Sequence, residues 1–289
     1  MKLSVVVPYY RASDTIDRQL RALSAQTWSD PWEVVLSDNE RSDDLREIVR
    51  RHEGSIRTLR IIDASERRGE AHARNAGVEA SKGEFIAFCD ADDEVGPGWL
   101  KSMGKALLAH EFVACRLEIE KLNPPWVASV FSQHPQQWGL QRAWFPPYLS
   151  HAGGGTLGFS KSVFDSVNGF DESWPVLTDT DYCFRVQLAG TPLHFVPDAV
   201  IHLRCRNTLP RLFAQSRTWA EHVVRLYKQY RPPGTRIPRP WQQYVSRWHQ
   251  LLRDRSQVKS DDSRGTWVWR FGWQIGLLQG SVKHFIPPV

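Results

Sequence analysis

The densest chemistry in this 289-residue chain lies in four residues, Asp90-Ala91-Asp92-Asp93. Three carboxylates in so short a run repel one another unless a cation joins them. Hard divalent ions such as Mg2+ and Mn2+ prefer oxygen ligands and are often shared between one or two carboxylates and a diphosphate. The run follows the apolar stretch Phe85-Ile86-Ala87-Phe88-Cys89, which places it at the end of a buried strand. A solvated acidic turn capping the next helix is the competing reading of the same residues. Other positions carry reactive or permissive residue types: Asp38 in Ser37-Asp38-Asn39, Asp179 and Asp181 in Thr178-Asp179-Thr180-Asp181, and the triplet Gly153-Gly154-Gly155. On their own the aspartates suit helix N-caps, and glycine lets a backbone come close to a bound molecule. His202, after Val200-Ile201, is by itself either a structural histidine or a metal ligand.

Residues so scattered need a scaffold to bring them together, and the first half of the chain reads as one. Apolar runs at 3–7, 33–36, 59–62 and 85–89 have strand character. Between them, helical spacing appears around Ile16, Leu20 and Leu23, around Leu45, Ile48 and Val49, and over 71–80, with another helix at 99–109. Repeated β-α-β order implies a mostly parallel sheet with helices on both faces. Ligands of such sheets bind beyond the carboxyl ends of the strands. The residues just after the strands are Pro8-Tyr9-Tyr10-Arg11, Ser37-Asp38-Asn39 and Asp90 to Asp93, so polar groups cluster where a ligand is expected. Residues 118–155 lack clean periodicity and read as a long loop over the site. Regular structure resumes with a strand at 156–160, a helix near 179–189 and a short strand ending at 200–202.

Composition is that of an ordinary globular chain, with no apolar stretch long enough to span a bilayer. The four cysteines are scattered without metal-binding spacing and read as free thiols of a reducing compartment. The net charge of +5 is unevenly spread: residues 204–289 hold 16 Lys and Arg against 4 Asp and Glu, whereas residues 1–203 hold 21 against 28. An acidic body thus carries a basic arm, which points to an anionic partner for the arm.

Taken in order, the motifs of residues 3–203 resemble family 2 glycosyltransferases of the GT-A fold. Val5-Val6-Val7-Pro8-Tyr9-Tyr10 is similar to the family's opening strand and nucleotide loop. Val35-Leu36-Ser37-Asp38-Asn39 is similar to its second strand and turn, Arg68-Gly69 with Ala73-Arg74-Asn75-Ala76-Gly77 to the segment entering its third helix, and Asp90-Ala91-Asp92 to its metal-binding motif. The resemblance implies an α/β, GT-A (Rossmann-like) domain in residues 1–203, a mostly parallel sheet flanked by helices. A helical, Arg- and Trp-rich basic extension follows in residues 204–289.

It also implies roles. Pro8, Tyr10 and Arg11 lie by the nucleotide, and Asp38 accepts from the nucleobase, usually uracil. Arg68 and Arg74 meet diphosphate oxygens, surface salt bridges being the alternative for each. Asp90 and Ala91 face the ribose and metal region. Asp92 is the direct metal ligand, with Asp93 a weaker candidate, and His202 completes the coordination of Mn2+ or Mg2+. Asp179 is the general base that takes the proton of an acceptor hydroxyl. Gly154, Gly155, Trp174 and Asp181 line the acceptor side, and Trp144 and Tyr148 are aromatics able to stack on sugars. Thr178 departs from the family's frequent glutamate. The implied reaction is an inverting transfer from a nucleotide-diphosphate sugar, a UDP-sugar through Asp38, to a hydroxyl of a glycan, glycolipid or small molecule.

Two rivals are weighed against this reading. A sugar-phosphate nucleotidyltransferase needs a glycine-rich basic loop after the first strand, and Pro8-Tyr9-Tyr10-Arg11-Ala12-Ser13 is not one. A non-catalytic nucleotide-sugar-binding module sits poorly with intact Asp38, Asp92 and Asp179. The extension carries six of thirteen tryptophans and helical stretches at 212–230 and 244–252, separated by Pro232, Pro233, Pro238 and Pro240. Trp267-Val-Trp-Arg-Phe-Gly-Trp suits peripheral attachment to an anionic membrane surface from the cytoplasmic side. The alternative is that these aromatics pack a small helical subdomain. No nucleic-acid motif accompanies the charge, so no nucleic acid is expected as a partner.

Overall fold

The computed structural model describes residues 2–235 and 240–287. Pro238, one of the expected helix separators, lies outside the described residues. The chain divides into two compact units. The first comprises Met1–Lys121, Pro135–Gln141 and Ser150–Arg204; the second comprises Leu122–His134, Arg142–Leu149 and Cys205–Val289.

The first unit is an α/β sheet domain. Its strands are β1 (Leu3–Tyr9), β2 (Trp32–Asp38), β3 (Leu59–Asp63), β4 (Phe85–Phe88), β5 (Glu94–Val95) and β6 (Phe112–Glu118), then the two-residue strands β7 (Gln141–Arg142), whose Arg142 is counted in the second unit, and β8 (Ser150–His151), and finally β9 (Leu157–Ser160) and β10 (His194–His202). The helices α1 (Ser13–Ser24), α2 (Asp43–Arg51), α3 (Glu70–Ala80) and α4 (Trp99–Ala109) alternate with the early strands. Helices α6 (Lys161–Ser166) and α7 (Thr178–Leu188) come later, after α5 (Pro125–Val130) of the second unit.

Eight strands form one sheet in the order β3-β2-β1-β4-β9-β6-β10-β5. β3, β2, β1 and β4 run parallel, whereas β9 is antiparallel to both β4 and β6, and β5 is antiparallel to β10. Val5, Val6 and Val7 of β1 are all fully buried. A strand covered on both faces needs such a continuous apolar run rather than an alternating one. Four strands escape the sequence pattern: the two-residue β5, β7 and β8, and β6, which directly follows α4 and merges with the aperiodic stretch after it. The chain order reverses across β1, and the loops that leave β1, β2 and β4 open on one edge of the sheet, where ligands of such folds bind.

The opposite edge is locked by a buried acid. Glu33, at the start of β2, has no exposed surface and accepts from Ser4 Oγ (2.6 Å), the Lys82 N–H (2.6 Å) and Arg60 Nε (2.9 Å). It thereby joins β1, β2, β3 and the loop into β4. Burial alone would raise its carboxyl, but the hydrogen bonds from Arg60, Ser4 and Lys82 outweigh that and hold it below the usual carboxylate range.

The second unit is helical. α8 (Leu209–Tyr230), α9 (Pro240–Asp254) and α10 (Asp261–His284) follow one another. Gly272, Gly276 and Gly280 let α10 lie directly on α8; a Cβ at Gly276 would sit 2.1 Å from the Arg217 carbonyl oxygen. Four glycines in 24 residues also explain why the sequence pattern does not announce this helix. The tryptophans here pack internally. Trp267 Nε1 donates to the Leu251 carbonyl (2.9 Å) and its ring stacks on Phe271, while Trp269 meets Phe131 and Trp219 edge-on. Of the two readings of the Trp-rich segment, the packed subdomain is the one these rings follow. Among the described residues no helix is long and apolar enough to cross a membrane.

Glu33→Ala strands three donors in a closed setting and should lower unfolding stability by about 1–3 kcal/mol, read as a shifted urea midpoint. Because the folded carboxyl is depressed, this contribution is fully present above the ordinary glutamate range and disappears as pH falls through the depressed value. Equal midpoints for the variant and the parent at neutral pH would count against the lock.

Candidate active site

The first wall of the site is built where β1 and β2 end together, with Tyr9 in register with Asp38. Asp38 is 2% exposed, and its two carboxylate oxygens accept from the N–H groups of Glu40 (3.0 Å) and Ser42 (2.8 Å). It thus shapes the turn whose Ser42 caps α2, and the lone pairs left on its oxygens remain acceptors for an imide N–H. Across from it, the Arg11 N–H donates to Glu40 Oε1 (2.8 Å), Arg11 has φ +48°, and its guanidinium lies 5.2 Å over the exposed ring of Tyr10. Pro8, Tyr10 and Arg11 therefore form one rim with the Asp38 turn. Asn39 extends the rim: its side chain donates to the carbonyls of Ala64 and Arg67 and accepts from the Gly69 N–H (3.0 Å). That fixes the loop carrying exposed Arg68 at the start of α3.

The acidic loop after β4 is held from below. Gln19 of α1 donates to the Asp90 carbonyl (3.0 Å) and accepts from the Val95 N–H (2.9 Å); Gln26 donates to the Gly96 carbonyl (3.0 Å) and accepts from the Leu100 N–H (3.1 Å). Neither glutamine was expected as a functional residue. The signal was available: Gln19 is a polar side chain on the buried stripe of Ile16, Leu20 and Leu23, where it needs a built partner.

Arg74 is the junction between this loop and the far wall. The expectation that it meets diphosphate oxygens is corrected by its burial, for it is only 1% exposed. Its Nη2 contacts Glu70 Oε1 (2.5 Å) and Asp90 Oδ1 (3.3 Å), and Nη1 lies 3.5 Å from Thr178 Oγ1. Burial works against its charge, and Glu70, Asp90 and Asp179 more than restore it, so the guanidinium is held ionised. Asp90 answers in kind: burial pushes its carboxyl up to about 7, Arg74 opposing and Glu70 and Asp92 adding to the rise.

Asp179 begins α7. Its Oδ2 accepts from the Gly154 N–H (2.9 Å) and its Oδ1 from the Thr180 N–H (2.7 Å). Burial raises its carboxyl above the ordinary aspartate value, with Arg74 opposing. The glycines make this convergence possible. A Cβ at Gly154 would lie 2.3 Å from the Arg74 guanidinium, and one at Gly155 would lie 2.5 Å from Asp90 Oδ2. The two glycines thus link Arg74, Asp90 and Asp179 into one cluster: Gly154 lies against Arg74 and bonds Asp179, and Gly155 lies against Asp90. Two other acceptor-side expectations are corrected. Asp181 has no exposed surface and pairs with Arg185 (2.8 Å), four residues on along the same helix. Trp174 is 2% exposed, so its face is not presented to a sugar.

The metal candidates sit at the β5–β10 edge, where His202 pairs with Glu94, two residues after Asp92. Arg204 ties the two segments, its N–H donating to Asp93 Oδ1 (2.8 Å) and its Nε to the Asp92 carbonyl (3.1 Å). Asp93 is 3% exposed. Among the described residues no three His, Cys, Asp or Glu side chains form a ready-made cage. The donor set of one carboxylate and one imidazole suits instead an ion whose remaining positions are filled by a diphosphate and water.

The family model for glycosyl transferase family 2 matches residues 4–167. Glycosyltransferase AglE of Haloferax volcanii is 34% identical over 100 residues, which cover 34% of this chain and 33% of AglE. The chain therefore spans about a third of that relative. The mannosyltransferase PcManGT of Pyrobaculum calidifontis, solved with GDP-Man and Mn2+, is similar in structure over 98% of this chain and 87% of its own (TM-score 0.64, 19% identity). TarS of S. aureus, solved with UDP-GlcNAc, is similar over 99% of this chain and 93% of its own (TM-score 0.56, 16% identity). The fold is GT-A.

Gly154→Ala forces a methyl group into the Arg74 guanidinium and should cost about 1–3 kcal/mol of stability. Urea denaturation measures it, and a variant as stable as the parent would mean that the loop does not close over Arg74.

Proposed function

The chain belongs to glycosyl transferase family 2, and on that premise we propose that it moves a sugar from a nucleotide-diphosphate donor to a hydroxyl acceptor, with Asp179 as the base. The observation that carries this is the placement of Asp90 and Asp179, far apart in sequence, on either side of one buried guanidinium at the carboxyl edge of the sheet. Asp38 receives the nucleobase, uracil by the acceptor chemistry of its carboxylate, and Tyr10 and Arg11 flank it. Arg68 meets the diphosphate. Asp92 and His202 would hold a divalent cation, Mn2+ or Mg2+, which would supply positive charge to the departing nucleotide.

Asp179 takes the proton of the acceptor hydroxyl as that oxygen bonds to the anomeric carbon and the bond to the diphosphate oxygen breaks. Asp179 is the one base in this reading, which with the family resemblance favours a single displacement with inversion. The raised carboxyl of Asp179 makes it a better base than an exposed aspartate. Complexes of similar folds with UDP-GlcNAc and with GDP-Man and Mn2+ support a nucleotide-sugar donor and a divalent ion.

Asp179→Asn should lower kcat by about 100- to 10,000-fold while leaving nucleotide affinity close to that of the parent. In the parent, kcat/KM should fall on the acid side at a pH above the ordinary aspartate range, as Asp179 takes up its proton. Activity retained by the Asn variant would remove Asp179 from the mechanism.

We also infer attachment of the second unit to an anionic membrane surface, on the cytoplasmic face. Support comes from apolar side chains left exposed at helical spacing, Leu278, Val282 and Phe285 at the end of α10 and Trp241, Val245 and Leu252 on α9, within a strongly basic segment. Co-sedimentation with anionic but not neutral vesicles is the expected behaviour, lost in the double substitution Val282→Asp with Phe285→Asp. Equal sedimentation of the parent with both vesicle types, or with neither, would end the idea.

A further inference from the structure

Glu118 is the last residue of β6 and stands in register with His202 of β10. Nothing in the sequence marks it: it lies outside the acidic motifs and at the end of a strand without a clear pattern. Its two carboxylate oxygens share the Lys121 N–H (3.2 and 3.4 Å) and otherwise face different partners. Oε1 accepts from the N–H groups of Glu120 (2.6 Å) and Lys121 (3.2 Å), which pins the carboxylate to its own turn. Oε2 receives the Nδ1–H of His202. The side chains of the pair are 25% and 15% exposed, so both are largely withdrawn from water.

A carboxylate fixed in this way selects one tautomer of the imidazole. With the proton on Nδ1, Nε2 carries the free lone pair, and the ring cannot turn without losing the bond. Gly96 lies beside Nε2, where a Cβ would come to 3.6 Å, ordinary van der Waals contact. The pairing of β5 with β10, and the Arg204 contacts to Asp92 and Asp93, put that nitrogen in the neighbourhood of the acidic loop.

We propose that Glu118 is a positioning residue: through Nδ1 it orients His202 so that Nε2 is presented to the divalent cation shared with the donor diphosphate. The proposal rests on the reading of His202 as a ligand. Carboxylates that hold a ligating histidine by its second nitrogen typically change metal affinity by about 10- to 100-fold when removed. Glu118 touches neither donor nor acceptor in this assignment, so its effect runs wholly through the imidazole.

The test is Mn2+ binding in the presence of UDP, followed by electron paramagnetic resonance, for the full chain and for Glu118→Ala, Glu118→Gln, His202→Ala and the Glu118→Ala, His202→Ala double variant. Thermal unfolding checks that each is folded. The expected result is weakening of Mn2+ binding by about 10- to 100-fold in Glu118→Ala, a smaller loss in Glu118→Gln, whose amide oxygen still accepts from Nδ1, and no further loss when Glu118→Ala is added to His202→Ala. If Glu118→Ala does not fold, the Gln variant decides, and parent-like affinity in it overturns the proposal. Weakened binding in His202→Ala together with parent-like binding in Glu118→Ala overturns the role of Glu118 and leaves His202 as a ligand. Parent-like binding in His202→Ala overturns the ligand reading itself, and Glu118 with it.

Discussion

Like charge gathered at the edge of a buried sheet is the constraint around which this domain is organised. Asp90, Asp92 and Asp93 leave a strand with no exposed surface in its middle, and Glu70 and Asp179 approach the same place from two helices. A group of carboxylates withdrawn from water raises its own proton affinity and resists folding unless positive charge is built in. Arg74 is that charge. Everything around it is arranged to permit its burial: glycines above it at 154 and 155, the aromatic faces of Phe88 and Phe170 beside it, each 5.7 Å from the guanidinium carbon, and acids on either hand. Asp92 is the acid proposed to hold the divalent cation.

From this follows a division of labour along α3. Arg74 faces the acids. Asn75, one residue on, donates to the Phe170 carbonyl (2.9 Å) and accepts from the Phe170 N–H (2.9 Å), and with His72 it also meets Glu172. Gly77, on the third face, lets the helix settle on Val6 of β1, where a Cβ would come to 2.3 Å of Cγ1. A single turn of helix thus fixes the charge, the loop leading to α7 and the distance to the sheet. The precision of the proposed base depends on those contacts as much as on Asp179 itself, since a carboxylate out of reach of the hydroxyl proton does nothing.

Much of this was legible in the sequence, and the reasons are physical. β1, β2 and β4 announce themselves because strands buried on both faces must be continuously apolar, and the polar residues that end them must then face a ligand or each other. Asp90 to Asp93 stands out because such a run has few uses away from water. The failures have equally definite causes. Arg74 was read as a surface phosphate binder because burial of an arginine depends on partners from other elements, Asp90 and Asp179, which local spacing does not display. Trp174 and Asp181 were placed on the acceptor side by the resemblance, yet Trp174 is buried and Asp181 points along its own helix to Arg185. Gln19 and Glu118 were missed because their partners are backbone groups or side chains brought near only by the sheet. Helix α10 itself did not stand out because its glycine row, the feature that packs it on α8, reads as weak helix.

The claim on which the account stands is that one nucleotide-sugar site joins Asp38, Asp92 and Asp179. Anomalous scattering from manganese in crystals of the full chain grown with Mn2+ and UDP measures it most directly. The account predicts a single strong peak between Asp92 and His202 Nε2, within bonding distance of a diphosphate whose uracil lies against Asp38. A peak elsewhere, or a nucleotide bound away from the carboxyl ends of β1 and β2, would contradict it.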